Sequence, residues 1–180
     1  MNNQSLWGKL FKLYLYILII LPVIFILGCN AGIVPASIEE EQQKAGFSGN
    51  ITFDGAWPDS VSWTLLVVFK DPLTSAGSFN VFNVAYISHP IPYGIQNLNF
   101  STIEDTGYVP IAAGTYSYVA VAQSQNPVLS VNRADWHVIG VYYSNNDTTQ
   151  PGKMTIPENT VIKNINIKCN FNNPPPQPPE

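Results

Sequence analysis

The chain has 180 residues, of which 46% are hydrophobic and only 11% are charged, whereas an average soluble domain has about 25% charged residues. This composition excludes a coiled coil and a charge-driven disordered chain, and the two cysteines are too few for a disulfide-stapled miniprotein. The net charge of −4 gives the chain no excess of positive charge with which to bind nucleic acid, so no nucleic-acid partner is expected. Low charge with 15 Pro, 12 Gly and 12% aromatic residues indicates an extracytoplasmic β protein.

An uncharged apolar run at residues 13–27 follows Lys9 and Lys12 and is followed by Gly28 and Cys29. A basic segment, an apolar core and a small residue at its end are typical of a secretory signal. As a helix this run would extend roughly 22 Å, which is short of the ~30 Å hydrocarbon core of a membrane. The run therefore favours a signal segment over a permanent membrane span.

The apolar run ends in Ile26-Leu27-Gly28-Cys29, which resembles a bacterial lipobox. The resemblance implies that the thiol of Cys29 carries a diacylglyceryl thioether and that a peptidase cuts between Gly28 and Cys29. Residues 1–28 are then a lipoprotein signal peptide. The mature chain would be held to a membrane by the lipid on its N-terminus, because two or more acyl chains anchor a protein firmly.

Residues 29–46 are expected to comprise the lipidated cysteine and a tether. Asn30, rather than Asp, follows Cys29, and by resemblance to enteric lipoproteins this favours the outer membrane over the inner one. The expected location is therefore the bacterial cell envelope, at the periplasmic or the surface face of the outer membrane. An uncleaved N-terminal anchor is the alternative, and it also places the domain outside the cytoplasm because the basic residues before the run stay inside.

From Phe47 onwards the hydrophobic period changes to two, which is typical of half-buried strands, and no helical period of useful length follows. Seven strands are predicted, at residues 47–53, 63–69, 79–87, 96–103, 115–123, 136–143 and 161–171. We therefore predict an all-β fold after the N-terminal lipoprotein signal helix, namely a seven-stranded antiparallel β-sandwich over residues 47–171. The Pro-rich residues 172–180 are expected to be a disordered tail in polyproline II, with a docking peptide or a spacer as alternatives.

Three of the predicted strands carry more specific expectations about the side chains that face the core. Residues 63–69 form a continuous apolar run, which indicates a buried strand. One side of the strand at 115–123 is predicted to hold Tyr116, Tyr118, Ala120 and Ala122, and the other side to hold Val119 and Val121. In the last strand Cys169 shares a face with Ile165 and Ile167, so we expect a buried and inert thiol.

Three stretches of the predicted domain together resemble a known family. They are Ser48-Gly49-Asn50-Ile51-Thr52-Phe53, the Gly-containing turn at residues 109–116, and the alternating residues 161–167. They are similar to the first strand, a turn into a central strand and the closing strand of carboxypeptidase-regulatory-like domains. The resemblance implies a transthyretin-like or Ig-like sandwich that braces other domains or offers a sheet edge or loop for binding. It carries over no catalytic residues.

Few residues offer catalytic or metal chemistry. The chain has two histidines, and with Cys29 lipidated and Cys169 facing inward a zinc site is hard to assemble, so no metal or other cofactor is expected. Asp135 and His137 share a face of a predicted strand, as an acid that orients a base would require, but no G-x-S-x-G elbow accompanies them. We therefore predict that the protein is not an enzyme, and an extracytoplasmic hydrolase is the weakest alternative.

Aromatic residues near predicted turns are the remaining candidates for ligand contact. Trp57, Tyr93 and Trp136 are placed where an exposed ring could stack on a sugar or dock a partner. The alternative is that they cap the ends of the β-sandwich. The sequence thus predicts a lipid-anchored, non-catalytic envelope lipoprotein with a structural, accessory or protein-binding role, and a carbohydrate-binding surface lipoprotein as the alternative.

Overall fold

A computed structural model describes residues 44–144 and 147–180 and, in the N-terminal segment, Phe11 and Tyr14. The predicted signal peptide, the cleavage site at Gly28 and Cys29, and most of the tether lie outside the described residues. No helix in the described part of the chain is long and apolar enough to cross a membrane.

The prediction of an all-β fold is confirmed, since residues 44–144 and 147–180 form ten strands and no α-helix. The strands are β1 (Gly46–Asp54), β2 (Trp63–Phe69), β3 (Val84–Ile87), β4 (Asn97–Ser101), β5 (Gly114–Tyr116), β6 (Tyr118–Ser124), β7 (His137–Tyr142), β8 (Met154–Ile156), β9 (Val161–Ile162) and β10 (Ile167–Asn170). Two short 3-10 turns, Ala76–Ser78 and Arg133–Asp135, interrupt the connections.

Eight of these strands form one curled sheet in the order β3-β2-β6-β7-β10-β1-β4, with β9 paired to β1, and β5 and β8 form a separate ribbon. The sheet is mixed rather than antiparallel, because β1 runs parallel to both β10 and β9. Ile51 of β1 lies opposite Ile167, and Phe53 lies opposite Cys169. The predicted arrangement of seven antiparallel strands is therefore wrong in the number of strands and in the direction of β1 relative to β9 and β10. The alternation of side chains shows which face of a strand is buried, but it does not show the direction of the neighbouring strand.

The extra strands arise where the chain breaks a predicted strand. The strand predicted at 115–123 is divided at Ser117, whose N–H donates to the carbonyls of Phe69 and Lys70 at 3.1 Å. This break puts Tyr116 in the same core cluster as Val119 and Val121, so its predicted face was wrong. Likewise, the strand predicted at 161–171 is divided near Asn164, which has a left-handed φ of 65°.

The strand predicted at residues 79–87 begins later than expected, at Val84. Its first part is held in a turn by asparagine side chains. Asn80 Oδ1 accepts the backbone N–H groups of Phe82 and Asn83, at 3.0 and 3.1 Å, and Asn83 Nδ2 donates to the carbonyl of Ser78 at 2.8 Å. Such side-chain bonds offer the backbone an alternative to the sheet.

Both faces of the sheet carry buried apolar side chains. The inner cluster comprises Phe47, Ile51, Phe53, Leu66, Val68, Ala85, Tyr86, Ile91, Tyr116, Val119, Val121, Ile139, Met154, Ile156, Ile165, Ile167 and Cys169. The outer cluster comprises Leu65, Phe69, Leu73, Tyr118, Ala120, Ala122, Trp136, Val138 and Val141. The sheet is thus the middle layer of the domain, with an apolar layer on each side.

The prediction for Cys169 is confirmed, because its side chain is fully buried in the inner cluster with Ile165 and Ile167. Burial raises the pKa of this thiol to about 12, because the apolar surroundings disfavour the thiolate. A neutral thiol is a poor nucleophile and a poor metal ligand. Cys169 is therefore a packing residue.

Candidate functional site

The outer face of the sheet is covered by two loops and by the C-terminal tail. Strands β2 and β6 are apolar on both faces, so their outward side chains need a cover of their own. Residues 70–83 and 125–136 provide this cover, with Leu73, Phe79 and Trp136 packed in or against the outer cluster. Pro178 of the tail is also buried.

A cavity of about 190 Å³ lies between this cover and the sheet. Its floor consists of outward residues of β2, β3, β6 and β7, and the loops and the tail form its walls. The lining residues are Leu65, Val67, Phe69, Leu73, Phe79, Asn80, Val81, Val84, Ile87, Val109, Tyr118, Ala120, Ala122, Leu129, Ser130, Val131, Arg133, Trp136, Val138 and Pro178. Nearly all of this lining is apolar, as is typical of small-molecule sites.

Two alanines on the floor contribute to the space in this cavity. Ala120 lies opposite Val67 and Ala122 lies opposite Leu65 on the neighbouring strand. Both alanines are buried, and both face the outer layer. A larger side chain at either position would extend into the cavity, because outward side chains stand roughly perpendicular to a sheet.

The cavity also has an open, apolar side. Three of its lining residues, Val81, Leu129 and Val131, are exposed, and Val131 is 72% exposed. Exposed apolar residues that adjoin an apolar cavity give an apolar molecule a route from solvent to the interior. This side of the domain therefore has the form of an entrance.

One charged side chain, Arg133, lines the otherwise apolar cavity. The residue is only 8% exposed. Its Nη1 donates to the carbonyl of Trp136, and its Nη2 donates to the carbonyl of Pro178 at 2.9 Å. Its Nε is buried without a hydrogen-bond partner in the described part of the chain. Because guanidinium stays protonated in proteins, this is a buried positive charge with an unused donor.

No carboxylate of the described residues lies within 4.0 Å of this guanidinium. Two acidic residues, Asp135 and Glu180, line a second cleft of about 460 Å³ that shares Arg133 and Trp136 with the apolar cavity. An unpaired buried charge is costly, whereas an anion with good hydrogen-bond geometry offsets this cost. The site can therefore stabilise a negative group that reaches Arg133.

Tyr118 is a second polar group in the lining. Its pKa is raised, mainly by burial and next by the neighbouring Tyr143, while the charge of Arg133 acts in the opposite direction. The phenol therefore stays protonated at neutral pH, and its O–H can donate a hydrogen bond. Tyr118 and Arg133 both line the cavity, so its lining contains both of these hydrogen-bond donors.

The C-terminal tail holds one wall of the site in place, in contrast to the predicted disordered terminus. The Gln177 side chain donates to the carbonyl of Val138 and accepts from its N–H, both at 2.8 Å. β10 pairs only with residues Gly140–Tyr142 of β7. The Gln177 amide therefore hydrogen-bonds the backbone N–H and C=O of Val138, which lie beyond the end of β10. Pro178 then follows with its carbonyl bonded to Arg133.

The three predicted aromatic contacts do not form one site. Trp57 packs on Phe53, Tyr93 and Phe171, with ring centroids 4.8, 5.2 and 5.1 Å away, at the inner cluster. Trp136 belongs to the outer cluster and lines the cavity. The indole N–H groups of Trp57 and Trp136 already donate to backbone carbonyls. Tyr93, which is 58% exposed, presents the most open of the three rings.

The Asp–His pair that the structure forms is not the pair considered from the sequence. Asp135 lies in a 3-10 turn, where it accepts a 3.4 Å hydrogen bond from Asn126, and His137 is exposed at the start of β7. Instead His89 Nδ1 lies 2.5 Å from Asp105 Oδ1, on the surface. No group of three or more His, Cys, Asp or Glu in the described ranges is placed to hold a metal ion.

Sequence reasoning found Trp136 but missed the cavity and Arg133. The signal for the cavity was the apolar run at Trp63–Phe69, since a strand that is apolar on both faces requires cover on both. Arg133 gave no such signal, because an arginine in a loop is ordinarily solvated, and the carbonyl that holds it here belongs to Pro178, far along the chain. No protein-family model, curated protein or solved structure matches this chain.

Proposed function

We propose that this chain is a lipid-anchored, non-catalytic binding protein of the bacterial cell envelope whose β domain takes up a small apolar molecule. The observation that carries the proposal is the apolar cavity of about 190 Å³ beneath the two loops and the tail. For scale, an apolar cavity of roughly 150 Å³ is large enough for benzene. A ligand of roughly eight non-hydrogen atoms fits this volume on the same scale.

The lipid anchor is supported by Gly28 and Cys29 at the end of the apolar run. Cleavage there would remove Lys9 and Lys12, which leaves 6 of the 8 basic residues against 12 acidic ones, a net charge of −6. Anionic headgroups would repel such a chain, so the lipid has to hold it at the membrane. Close to the bilayer, a cavity with an apolar entrance has access to apolar molecules that are scarce in water.

We expect Cys29→Ser to leave the chain as an unprocessed precursor without acylation. The serine hydroxyl is far less nucleophilic than a thiolate, so neither the lipid transfer nor the cleavage that follows would occur. Mass spectrometry of the N-terminal peptide from native membranes is the measurement, with Cys169→Ser as the matched control that is processed normally. Wild-type protein that retains residues 1–28 would contradict the anchor.

We expect Ala120→Leu to block uptake of a neutral apolar probe such as ethylbenzene. The three added carbons occupy the floor of the cavity without removing any hydrogen bond. Methyl NMR of leucine and valine in nanodisc-embedded, full-length protein is the measurement. The methyl signals come from the protein, so they show binding in the cavity and not the probe that dissolves in the lipid. Shifts at Leu65, Val67 and Val138 should appear in the wild type and vanish in the variant.

Ala134→Leu is the matched control, because Ala134 is exposed and lines the second cleft rather than the apolar cavity. It should bind ethylbenzene as the wild type does. Wild-type protein whose cavity methyl signals do not move at saturating probe would overturn the binding function. The carbohydrate-binding alternative is supported less well, because Trp57 and Trp136 use their N–H groups within the domain and lie in different clusters.

A further inference from the structure

We propose that the ligand of the cavity is a small amphiphile with a single carboxylate, which Arg133 receives while the apolar body lies over the alanine floor. This inference rests on the proposed function and narrows it from apolar molecules in general to medium-chain or aromatic monocarboxylates. The combination that carries it is a buried guanidinium with an unpartnered Nε in a cavity whose lining is otherwise almost wholly apolar.

The hydrogen bonds of Arg133 define what it can still accept. A guanidinium has five N–H donors, and the hydrogen bonds to Trp136 and Pro178 use one on Nη1 and one on Nη2. Both partners are neutral backbone carbonyls, so they satisfy donors without neutralising the charge. Three donors remain, one each on Nε, Nη1 and Nη2, and adjacent donors of a planar guanidinium form a fork that matches the two oxygens of a carboxylate.

The same two contacts fix Arg133 in place. The Trp136 carbonyl belongs to the same short segment, and the Trp136 indole donates to the Ser130 carbonyl at 2.9 Å, so the loop is tied to itself. The Pro178 carbonyl holds the guanidinium from the side of the tail. A pre-positioned donor loses little conformational entropy when an anion arrives.

The charges around Arg133 favour an anion in the apolar cavity rather than in the second cleft. Asp135 and Glu180 line the cleft and would repel a carboxylate there. The side chains of the apolar cavity contribute no acidic group, and Tyr118 adds a neutral O–H donor. An amphiphile is therefore oriented with its carboxylate at Arg133 and its hydrocarbon part toward Ala120 and Ala122.

The ligand is limited in size and charge by these features. The volume fits roughly eight non-hydrogen atoms, by comparison with a cavity that holds benzene, and the eight-carbon chain of octanoate has this size. A dicarboxylate would bury a second charge against apolar side chains, which is costly. A full-length membrane fatty acid would extend beyond the cavity past the exposed Val81, Leu129 and Val131.

The test compares octanoate with octanol, which share the apolar chain and differ in charge, on full-length protein in nanodiscs at pH 7. Leucine and valine methyl shifts are followed in both titrations. Octanoate is expected to bind at least about tenfold more tightly than octanol, as charge-assisted hydrogen bonds in a buried site are strong. In Arg133→Met the two affinities should become similar, while octanol binding is retained.

The outcomes separate this inference from the proposed function. If octanol and octanoate bind the wild type equally well, the carboxylate assignment is wrong and the apolar binding site stands. If neither ligand changes the chemical shifts of the cavity methyl groups, the proposed binding function is overturned. A preference for octanoate that persists in Arg133→Met overturns the role of this residue. Should that variant not fold, Arg133→Lys takes its place. It keeps the charge but loses the fork, and an undiminished preference would again overturn the assignment.

Discussion

Replacing Phe47 with alanine is expected to lower the free energy of unfolding by about 3–5 kcal/mol, the range for removing a buried aromatic side chain. Phe47 is fully buried in the inner cluster. Its ring makes edge contacts with Tyr86 and Phe100, at centroid distances of 5.7 and 5.6 Å. Its backbone also bonds with Thr102 on the β4 side and lies opposite Ile162 of β9. The cavity left by the variant would open where three strands meet.

The measurement for Phe47→Ala is chemical denaturation of the detergent-solubilised, full-length protein, followed by far-UV circular dichroism. Phe82→Ala is the matched control, since the same atoms are removed from a side chain that is 84% exposed. Its free energy of unfolding should stay within about 0.5 kcal/mol of the wild type. Equal destabilisation by both variants would contradict the placement of Phe47 at the centre of the inner cluster.

The sequence was most informative where a strand is defined by its own side chains. Trp63–Phe69 was predicted with the bounds that β2 has in the structure, because a continuous β-branched and aromatic run ends at the polar residues Lys70 and Asp71. The face of Cys169 followed from the same kind of local alternation. In both cases burial and period are properties of the segment itself.

The sequence was least informative where a distant backbone group decides the local structure. The break at Ser117 follows from carbonyls of Phe69 and Lys70, and alternation across the break therefore misplaced Tyr116. The parallel pairing of β1 with β10 joins residues more than a hundred positions apart, such as Ile51 and Ile167. Neither the break nor the parallel pairing can be recognised from the residue types involved, because the same strand residues occur in parallel and in antiparallel pairs.

The candidate site shows the same division. Apolar strands with alanines at positions 120 and 122 predict a covered outer face, but they do not say that the cover leaves a cavity. Arg133 stands in the polar stretch at residues 132–135 and was not distinguished from a solvated loop. Its role follows from a tail residue 45 positions away, Pro178, whose carbonyl fixes the guanidinium. Composition was therefore least informative for the tail: it predicted disorder, whereas the tail holds Arg133 in place through Pro178.

The two-sided sheet separates the residues of the inner cluster from those that line the cavity. The inner cluster joins β1, β2, β6, β7 and β10 with the β5–β8 ribbon, so it unites the whole domain. The outer cluster involves fewer strands and contains the cavity. Substitutions in the inner cluster should therefore change the free energy of unfolding without changing the ligand preference of the folded protein, and Ala120→Leu should do the reverse. This separation follows because the two clusters lie on opposite faces of the sheet.

Replacing Gly49 with alanine is expected to lower the free energy of unfolding by about 3 kcal/mol or more, because the new methyl group would overlap the backbone. A Cβ at Gly49 would lie 2.0 Å from the carbonyl oxygen of Ile165. The segment before β10 passes this close because Ile165 N donates to the carbonyl of Ser48, and the side chain of Asn166 accepts from Asn50 N. A backbone atom cannot rotate away as a side chain can. The variant would therefore have to separate β1 from this segment and expose Ile165, which is buried in the inner cluster.

The same denaturation experiment tests Gly49→Ala, with Gly77→Ala as the matched control. At Gly77 the nearest atom to a new Cβ is Ser75 Oγ at 3.9 Å, an ordinary contact. The control should therefore stay within about 0.5 kcal/mol of the wild type, or gain slightly because alanine restricts the unfolded chain. A Gly49→Ala protein as stable as this control would show that the chain between β9 and β10 does not run against β1 at this residue, where it joins the two parallel pairings.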